Sequence, residues 1–237
     1  IWFGIIAQYY AKMADPKASK KKHLHALWIT PLRALSKEIH KATNQVSVDL
    51  DLDYQIELRT GDTSTSIRQK QRKNPPQALI TTPESVHLIL ATKSGQEYFK
   101  NLEFIVVDEW HELLGSKRGV LIELALSRLK AINPNLKIWG ISATIGNLEE
   151  AKDILLGPGT SGTLIRADIH KKMDIQTVFP DNLEKFPWAG HLGIKLLDKV
   201  VDIINKYQTT LIFTNTRSQA EIWYQQIITH YPEFEGL

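Results

Sequence analysis

The sequence predicts an α/β fold, a parallel sheet flanked by helices. Three observations carry this reading. Short apolar runs without polar alternation recur along the chain, as in strands buried on both faces. Amphipathic helical segments separate them, the pattern of βαβ units. Several of the runs end in hydroxyl-bearing residues followed by proline, as where a strand passes into a helix.

The elements follow in order. Ile1–Ala14 reads as a helix with a core face, and Asp15–His25 as a polar loop carrying Lys17, Lys20, Lys21 and Lys22. That charge run is either a solvated face or a nucleic-acid contact. Ala26–Thr30 is a buried strand, and Pro31 suits the first turn of a helix running to about Thr43. Tyr54–Thr60 is strand-like and meets a turn at Gly61-Asp62; Thr63–Lys73 is helical until Asn74-Pro75-Pro76. Ala78–Thr82 is a strand, followed by Pro83 and a helix to about Ala91. Phe104–Asp108 is a strand, Arg118–Asn133 an amphipathic helix, Leu136–Ile141 a strand, and Asn147–Leu155 a helix stopped by Gly157-Pro158-Gly159.

Residues 157–191 change character, with β-rich pieces at Thr163–Ala167 and Asp174–Phe179. A domain boundary is expected near Asp168–Met173, dividing the chain into 1–168 and 169–237. Leu192–Tyr207 then reads as a helix, Thr209–Thr214 as a buried strand and Thr216–Tyr231 as a helix, the opening of another α/β unit.

Composition bounds the function without choosing it. The chain has 237 residues, 43% hydrophobic and 23% charged, ordinary for a globular protein. A net charge of +3 does not by itself establish nucleic-acid binding. The chain has no cysteine, which excludes disulfides, thiolate metal sites and a cysteine nucleophile and suits a cytoplasmic location. Ile1–Tyr10 is apolar but too short to span a bilayer, so no membrane role is expected. There is no initial methionine and the chain opens in mid-pattern, as a piece of a longer protein would. No His or acidic group has the spacing of a structural zinc site, and His23, His40 and His230 read as surface residues.

Residues 104–111, Phe-Ile-Val-Val-Asp-Glu-Trp-His, carry the chemistry. In open α/β sheets, ligands sit beyond the carboxyl ends of the strands, where Asp108 and Glu109 fall. Such a pair suits phosphate hydrolysis: one carboxylate holds Mg²⁺, usually through water, and the other orients and deprotonates the attacking water. The other reading is a helix cap with favourable charge at the helix dipole. Elsewhere, Thr30-Pro31-Leu32-Arg33, Thr82-Pro83-Glu84-Ser85 and Thr214-Asn215-Thr216-Arg217 each put hydroxyls at a helix start, and Arg59-Thr60-Gly61-Asp62 lies at another strand end. Helix N-termini bind phosphate, so these segments together suggest a track of phosphate contacts.

The ordered set Thr-Pro-Leu-Arg-Ala-Leu (30–35), Thr-Gly-Asp-Thr-Ser (60–64), Thr-Thr-Pro-Glu-Ser (81–85), Asp-Glu-Trp-His (108–111), Ser-Ala-Thr (142–144) and Ile-Phe-Thr-Asn-Thr-Arg (212–217) resembles superfamily-two DExH-box helicases. The longer strings at 108–119 and 139–148 resemble the Lhr group, and most of all the bacterial ligase-associated DExH helicases.

The resemblance implies a RecA-like domain followed by the start of a second. It implies an ATP-dependent helicase, acting on DNA in repair, with ATP and Mg²⁺ as cofactors. Asp108 would bind Mg²⁺ of Mg-ATP and Glu109 would be the general base. His111 would couple the nucleotide site to Ser142 and Thr144, which link hydrolysis to domain movement. Thr30, Arg33, Thr60, Gly61, Thr82 and Ser85 would hold the backbone of one strand. Thr214, Asn215, Thr216 and Arg217 would grip that strand from the second domain, and alternating grip would give translocation. The implied partners are single-stranded or partly duplex DNA, with RNA as the alternative polynucleotide, and a DNA ligase and a nuclease-type phosphoesterase.

Trp110 reads as packing, or else as stacking or coupling; Arg118 pairs with Glu112 or Glu123, or else touches nucleic acid. The departures from the family pattern are the absence of a Gly-x-x-x-x-Gly-Lys-Ser/Thr phosphate loop and of the late second-domain arginines. The chain by itself is therefore expected neither to hydrolyse ATP nor to unwind a duplex. A non-catalytic nucleic-acid-binding module of the same fold is the rival reading.

Overall fold

A computed structural model describes residues 1–16, 22–167, 172–179 and 193–236. The chain divides into two units, Ile1–Arg166 and Ala167–Leu237. The boundary segment expected at Asp168–Met173 falls largely on 168–171, outside the described residues, as do Lys17, Lys20, Lys21 and Leu192.

The first unit holds a five-stranded parallel sheet. Its strands are β1 (Ala26–Ile29), β2 (Ile56–Arg59), β3 (Ala78–Thr81), β4 (Phe104–Val107) and β5 (Lys137–Gly140), in the order β2-β3-β1-β4-β5. The helices are α1 (Trp2–Met13), α2 (Arg33–Asp49), α3 (Thr65–Lys73), α4 (Pro83–Leu90), α5 (Gly95–Phe99), α6 (Trp110–Leu113), α7 (Lys117–Ile132) and α8 (Leu148–Leu156).

β1, β3 and β4 are buried along their whole length, which is why their sequences lack polar alternation. Successive side chains point to opposite faces and feed two cores. Leu27, Ile29, Leu79, Ile105 and Val107 pack on one face with α4, α5, α7 and α8. Ala26, Trp28, Ile80, Phe104 and Val106 pack on the other with α1. The polar-looking helix starts have local causes. Ser64, Ser116 and Asn147 accept hydrogen bonds from the first-turn N–H groups of α3, α7 and α8.

Two predicted boundaries shift. Pro31 precedes the helix instead of opening it, since Leu32 is extended and α2 starts at Arg33. α2 also runs on to Asp49, beyond Thr43, because Thr43 and Ser47 lie on its buried face. The short α5 and α6 escape a periodicity search because a single turn has no period.

The second unit holds a 3₁₀ turn at Ile194–Leu196, α9 (Leu197–Lys206), α10 (Arg217–His230) and a 3₁₀ turn at Pro232–Phe234. The strand predicted at Thr209–Thr214 is irregular, as are the β-rich pieces Thr163–Ala167 and Asp174–Phe179. A strand needs a neighbour to pair its N–H and C=O groups, and among the described residues none of these segments pairs into the sheet. Their apolar side chains are correspondingly exposed, Ile175 and Phe213 at 88% each. No helix among the described residues is long and apolar enough to cross a membrane.

Candidate active site and nucleic-acid interface

β4 delivers Asp108 and Glu109 to the carboxyl edge of the sheet. Asp108 is buried, and its backbone N–H donates to Ile29 O (2.8 Å), which extends the β1–β4 ladder by one bond. Trp28, on the adjacent β1, donates its indole N–H to Asp108 Oδ2 at 3.2 Å. The Glu109 N–H donates to Asp108 Oδ1 at 3.0 Å. Both carboxylate oxygens are thus held in direction by a donor.

Glu109 adopts a left-handed backbone, φ 49° and ψ 45°. That region is uncommon for a residue with a Cβ and marks a local constraint. It turns the chain sharply from strand to α6 and leaves the carboxylate part-exposed beside Asp108. Trp110 is buried, with its backbone N–H on Ile141 O (2.9 Å) and its indole N–H on Ala151 O (3.0 Å). It packs, as expected.

His111 faces the end of β5. Its Nδ1 lies 3.2 Å from Ser142 Oγ and accepts the Ala143 N–H at 3.2 Å. Glu109 Oε2 lies 3.4 Å from Nδ1, and Glu112 Oε1 lies 3.5 Å from Nε2. A neutral ring that accepts the Ala143 N–H at Nδ1 carries its proton on Nε2, facing Glu112. The structure thus brings Asp108, Glu109, His111 and Ser142 together. Thr144 is exposed two residues beyond Ser142.

The track residues fall into two kinds. Thr30, Thr60, Thr82 and Ser85 are buried. Thr82 Oγ1 donates to Ser85 Oγ (3.2 Å), and Thr60 Oγ1 accepts the Asp62 N–H (3.3 Å). Arg33 and Gly61 are exposed, and Arg33 Nη1 pairs with Asp62 Oδ1 at 2.9 Å. Arg68 donates to the carbonyls of Thr60 and Gly61 (3.2 and 2.7 Å), which ties α3 to the turn after β2. In the second unit, Thr216 caps α10 by accepting the Gln219 N–H (3.2 Å), and Thr214 Oγ1 donates to Thr216 O (2.9 Å). The Asn215 N–H donates to Gln219 Oε1 (3.2 Å), and the exposed Arg217 lies 3.4 Å from Glu221.

Arg118 does not pair with Glu112 or Glu123. It forks onto Glu84, with Nε on Oε1 at 2.6 Å and Nη2 on Oε2 at 3.2 Å. Burial alone would raise the Glu84 carboxyl, but the Arg118 hydrogen bonds hold it below the usual range. Spacing could not find this pair, which joins residues far apart in sequence. Trp28 was also missed, because a Trp in an apolar strand gives no sequence sign that its N–H meets a carboxylate.

The DEAD/DEAH box helicase family matches residues 4–152, the span that contains the sheet and the acidic pair. The chain belongs to the DEAD/DEAH box helicase family. The ATP-dependent helicase Lhr-Core of Sulfolobus acidocaldarius is 37% identical over 213 residues, 86% of this chain and 24% of that protein. The Lhr-Core helicase of Methanocaldococcus jannaschii is 33% identical over 209 residues, 84% of this chain and 24% of that one. The chain therefore spans about a quarter of the length of these relatives. Among solved structures, the Mycobacterium smegmatis helicase Lhr bound to ssDNA and AMP-PNP is 25% identical with a TM-score of 0.69, covering 99% of this chain and 31% of that one. The DUF1998 helicase MrfA bound to DNA and AMPPNP shares the fold, with a TM-score of 0.74 at 22% identity over 98% of this chain and 32% of that one. The five-stranded parallel sheet of this DEAD/DEAH box domain is thus a RecA-like sheet.

Proposed function

We propose that the Asp108–Glu109 pair is the hydrolytic end of an ATP-driven motor that moves along one nucleic-acid strand, DNA in preference to RNA. The observation that carries this reading is the Asp108 carboxylate, buried at a strand's carboxyl end and held by two donors beside a Glu in a constrained backbone. Each Asp108 oxygen accepts one hydrogen bond and keeps a lone pair.

This donor set fits Mg²⁺, which is held by one or two carboxylates, waters and substrate phosphates, not by a cage of protein ligands. Among the described residues no group of three or more acidic or His side chains forms such a cage. When bound, the ion would offset charge on the nucleotide phosphates. Asp108 would be the residue that holds it. Glu109 orients the attacking water and takes its proton. His111 accepts from the Ala143 N–H, lies within hydrogen-bonding distance of Ser142, and so connects the acidic pair to the loop of Ser142 and Thr144 after β5.

The strand runs past the starts of α2 and α4, neither of which is capped by its own N-cap side chain. Thr30, Thr82 and Ser85 shape these turns from within, buried Thr60 and exposed Gly61 form the turn after β2, and Arg33 supplies exposed charge. Main-chain N–H groups there suit phosphate oxygens. Thr214, Asn215, Thr216 and Arg217 add contacts from the second unit. The M. smegmatis relative bound to ssDNA supports DNA as the polynucleotide. Resemblance to ligase-associated helicases supports a repair setting in the cytoplasm, with a DNA ligase and a nuclease-type phosphoesterase as partners.

The test uses the full-length protein with Mg-ATP. Phosphate release should rise on adding single-stranded DNA, and less on adding RNA of the same sequence. Strand binding with no phosphate release would favour a non-catalytic binding module instead.

A further inference from the structure

Arg118 stands on the first turn of α7 and reaches two other segments of the first unit. Besides its fork onto Glu84, its Nη1 donates to Pro31 O at 2.7 Å. Glu84 lies on the first turn of α4, and Pro31 in the junction between β1 and α2. One guanidinium therefore joins segment 30–33 to segment 82–85.

The local sequence explains why the side chain can arrive there. Gly115 takes φ 68°, a turn that favours glycine, and Ser116 then caps α7 by accepting the Gly119 N–H at 3.1 Å. A Cβ on Gly119 would lie 2.1 Å from Leu113 O, so only glycine lets the first turn of α7 close against the end of α6. That closure sets Arg118 between the two junctions.

Exposed ion pairs contribute little in general. A bidentate fork with a third, main-chain acceptor differs, because it fixes direction as well as distance. Lysine, a point charge on a flexible stem, cannot reproduce it.

We propose that Arg118 is a positioning residue that holds the β1–α2 and β3–α4 junctions at a fixed spacing, so that both meet the phosphates of one strand together. This rests on the strand path given above. Nε, Nη1 and Nη2 are each engaged within the protein, so Arg118 acts through the junctions and not on the strand.

The experiment uses the full-length protein and a fluorescent single-stranded DNA. Arg118→Gln, Arg118→Lys and Glu84→Ala are each expected to weaken strand binding, by about tenfold where a charged hydrogen bond is lost. The double variant Arg118→Gln/Glu84→Ala should be no weaker than either single one, since both break one link. In strand-stimulated ATP hydrolysis, the half-saturating DNA concentration should rise more than the plateau rate falls.

If Arg118 touched phosphate directly, Lys would rescue it, the salt slope would fall, and Glu84→Ala would bind as well as wild type or tighter. Any of those results, additive losses, or no loss at all would overturn the proposal. Amide exchange of 30–33 and 82–85, measured without DNA, judges the link separately from the helicase reading. It should quicken in both segments in Arg118→Gln, and unchanged exchange in either one overturns the link even if the protein binds no DNA.

Discussion

The Trp28 indole nitrogen lies 3.2 Å from Asp108 Oδ2, a bond from β1 to the residue that follows the neighbouring strand β4. Trp28 is itself buried, with its ring stacked on Trp2 at 5.1 Å. The apolar core therefore sets the direction of the carboxylate assigned to Mg²⁺. Trp28→Phe keeps the ring and deletes the donor. It is expected to raise the Mg²⁺ concentration that half-saturates ATP hydrolysis in the full-length protein by about 10–100-fold, the usual effect of an outer-shell partner. An unchanged Mg²⁺ dependence would mean that Trp28 only packs.

Ser142 lies 3.2 Å from His111 Nδ1, while Thr144 is exposed. Neither bonds to the acidic pair. Replacing both with alanine in the full-length protein is expected to impair duplex unwinding more than strand-stimulated ATP hydrolysis. Equal loss of both activities would place them in the chemistry.

The parts of the site that were legible in the sequence were those fixed by local pattern. A short Phe-Ile-Val-Val run must be buried on both faces, so the residues after it reach the sheet edge, as Asp108 and Glu109 do. What stayed hidden was set by contacts between distant residues. The Trp28–Asp108 bond and the Arg118–Glu84 fork need the strand order β2-β3-β1-β4-β5, which no local pattern encodes. The strand expected at Thr209–Thr214 has the right composition, yet composition supplies no pairing partner. The hydroxyls of Thr30, Thr82 and Ser85 looked like surface donors but are buried, Ser85 on the inner face of α4.

Arg33 and Arg217 are exposed, and each is paired with one carboxylate, Asp62 and Glu221. Such pairs exchange readily for phosphate. Each alanine variant is expected to weaken single-strand binding equally for all sequences and to lower the salt slope by about 0.7. A sequence-dependent loss would point to base contact instead.

His25 is buried, and burial lowers its pKa from 6.5 to about 4, against a smaller opposing pull from Glu103. In the unfolded chain the ring takes up its proton near 6.5, well before the folded form does. This contribution to stability is complete above pH 6.5 and is lost as pH falls from there towards about 4. Denaturant unfolding of the chain across that window is expected to show a steeper acid loss than His25→Gln, by up to about 1.4 kcal/mol per pH unit. Parallel profiles would mean that His25 charges equally well in both states.

The central claim is that Glu109 takes the proton of a water attacking ATP. The most direct measurement is single-turnover phosphate release by the full-length protein and its Glu109→Gln variant, with Mg-ATP binding measured alongside. The variant is expected to bind Mg-ATP as wild type does and to release phosphate roughly 10²–10⁴-fold more slowly, the usual contribution of a general base. Near-normal release from the Gln variant would contradict the assignment and remove Glu109 from the chemistry.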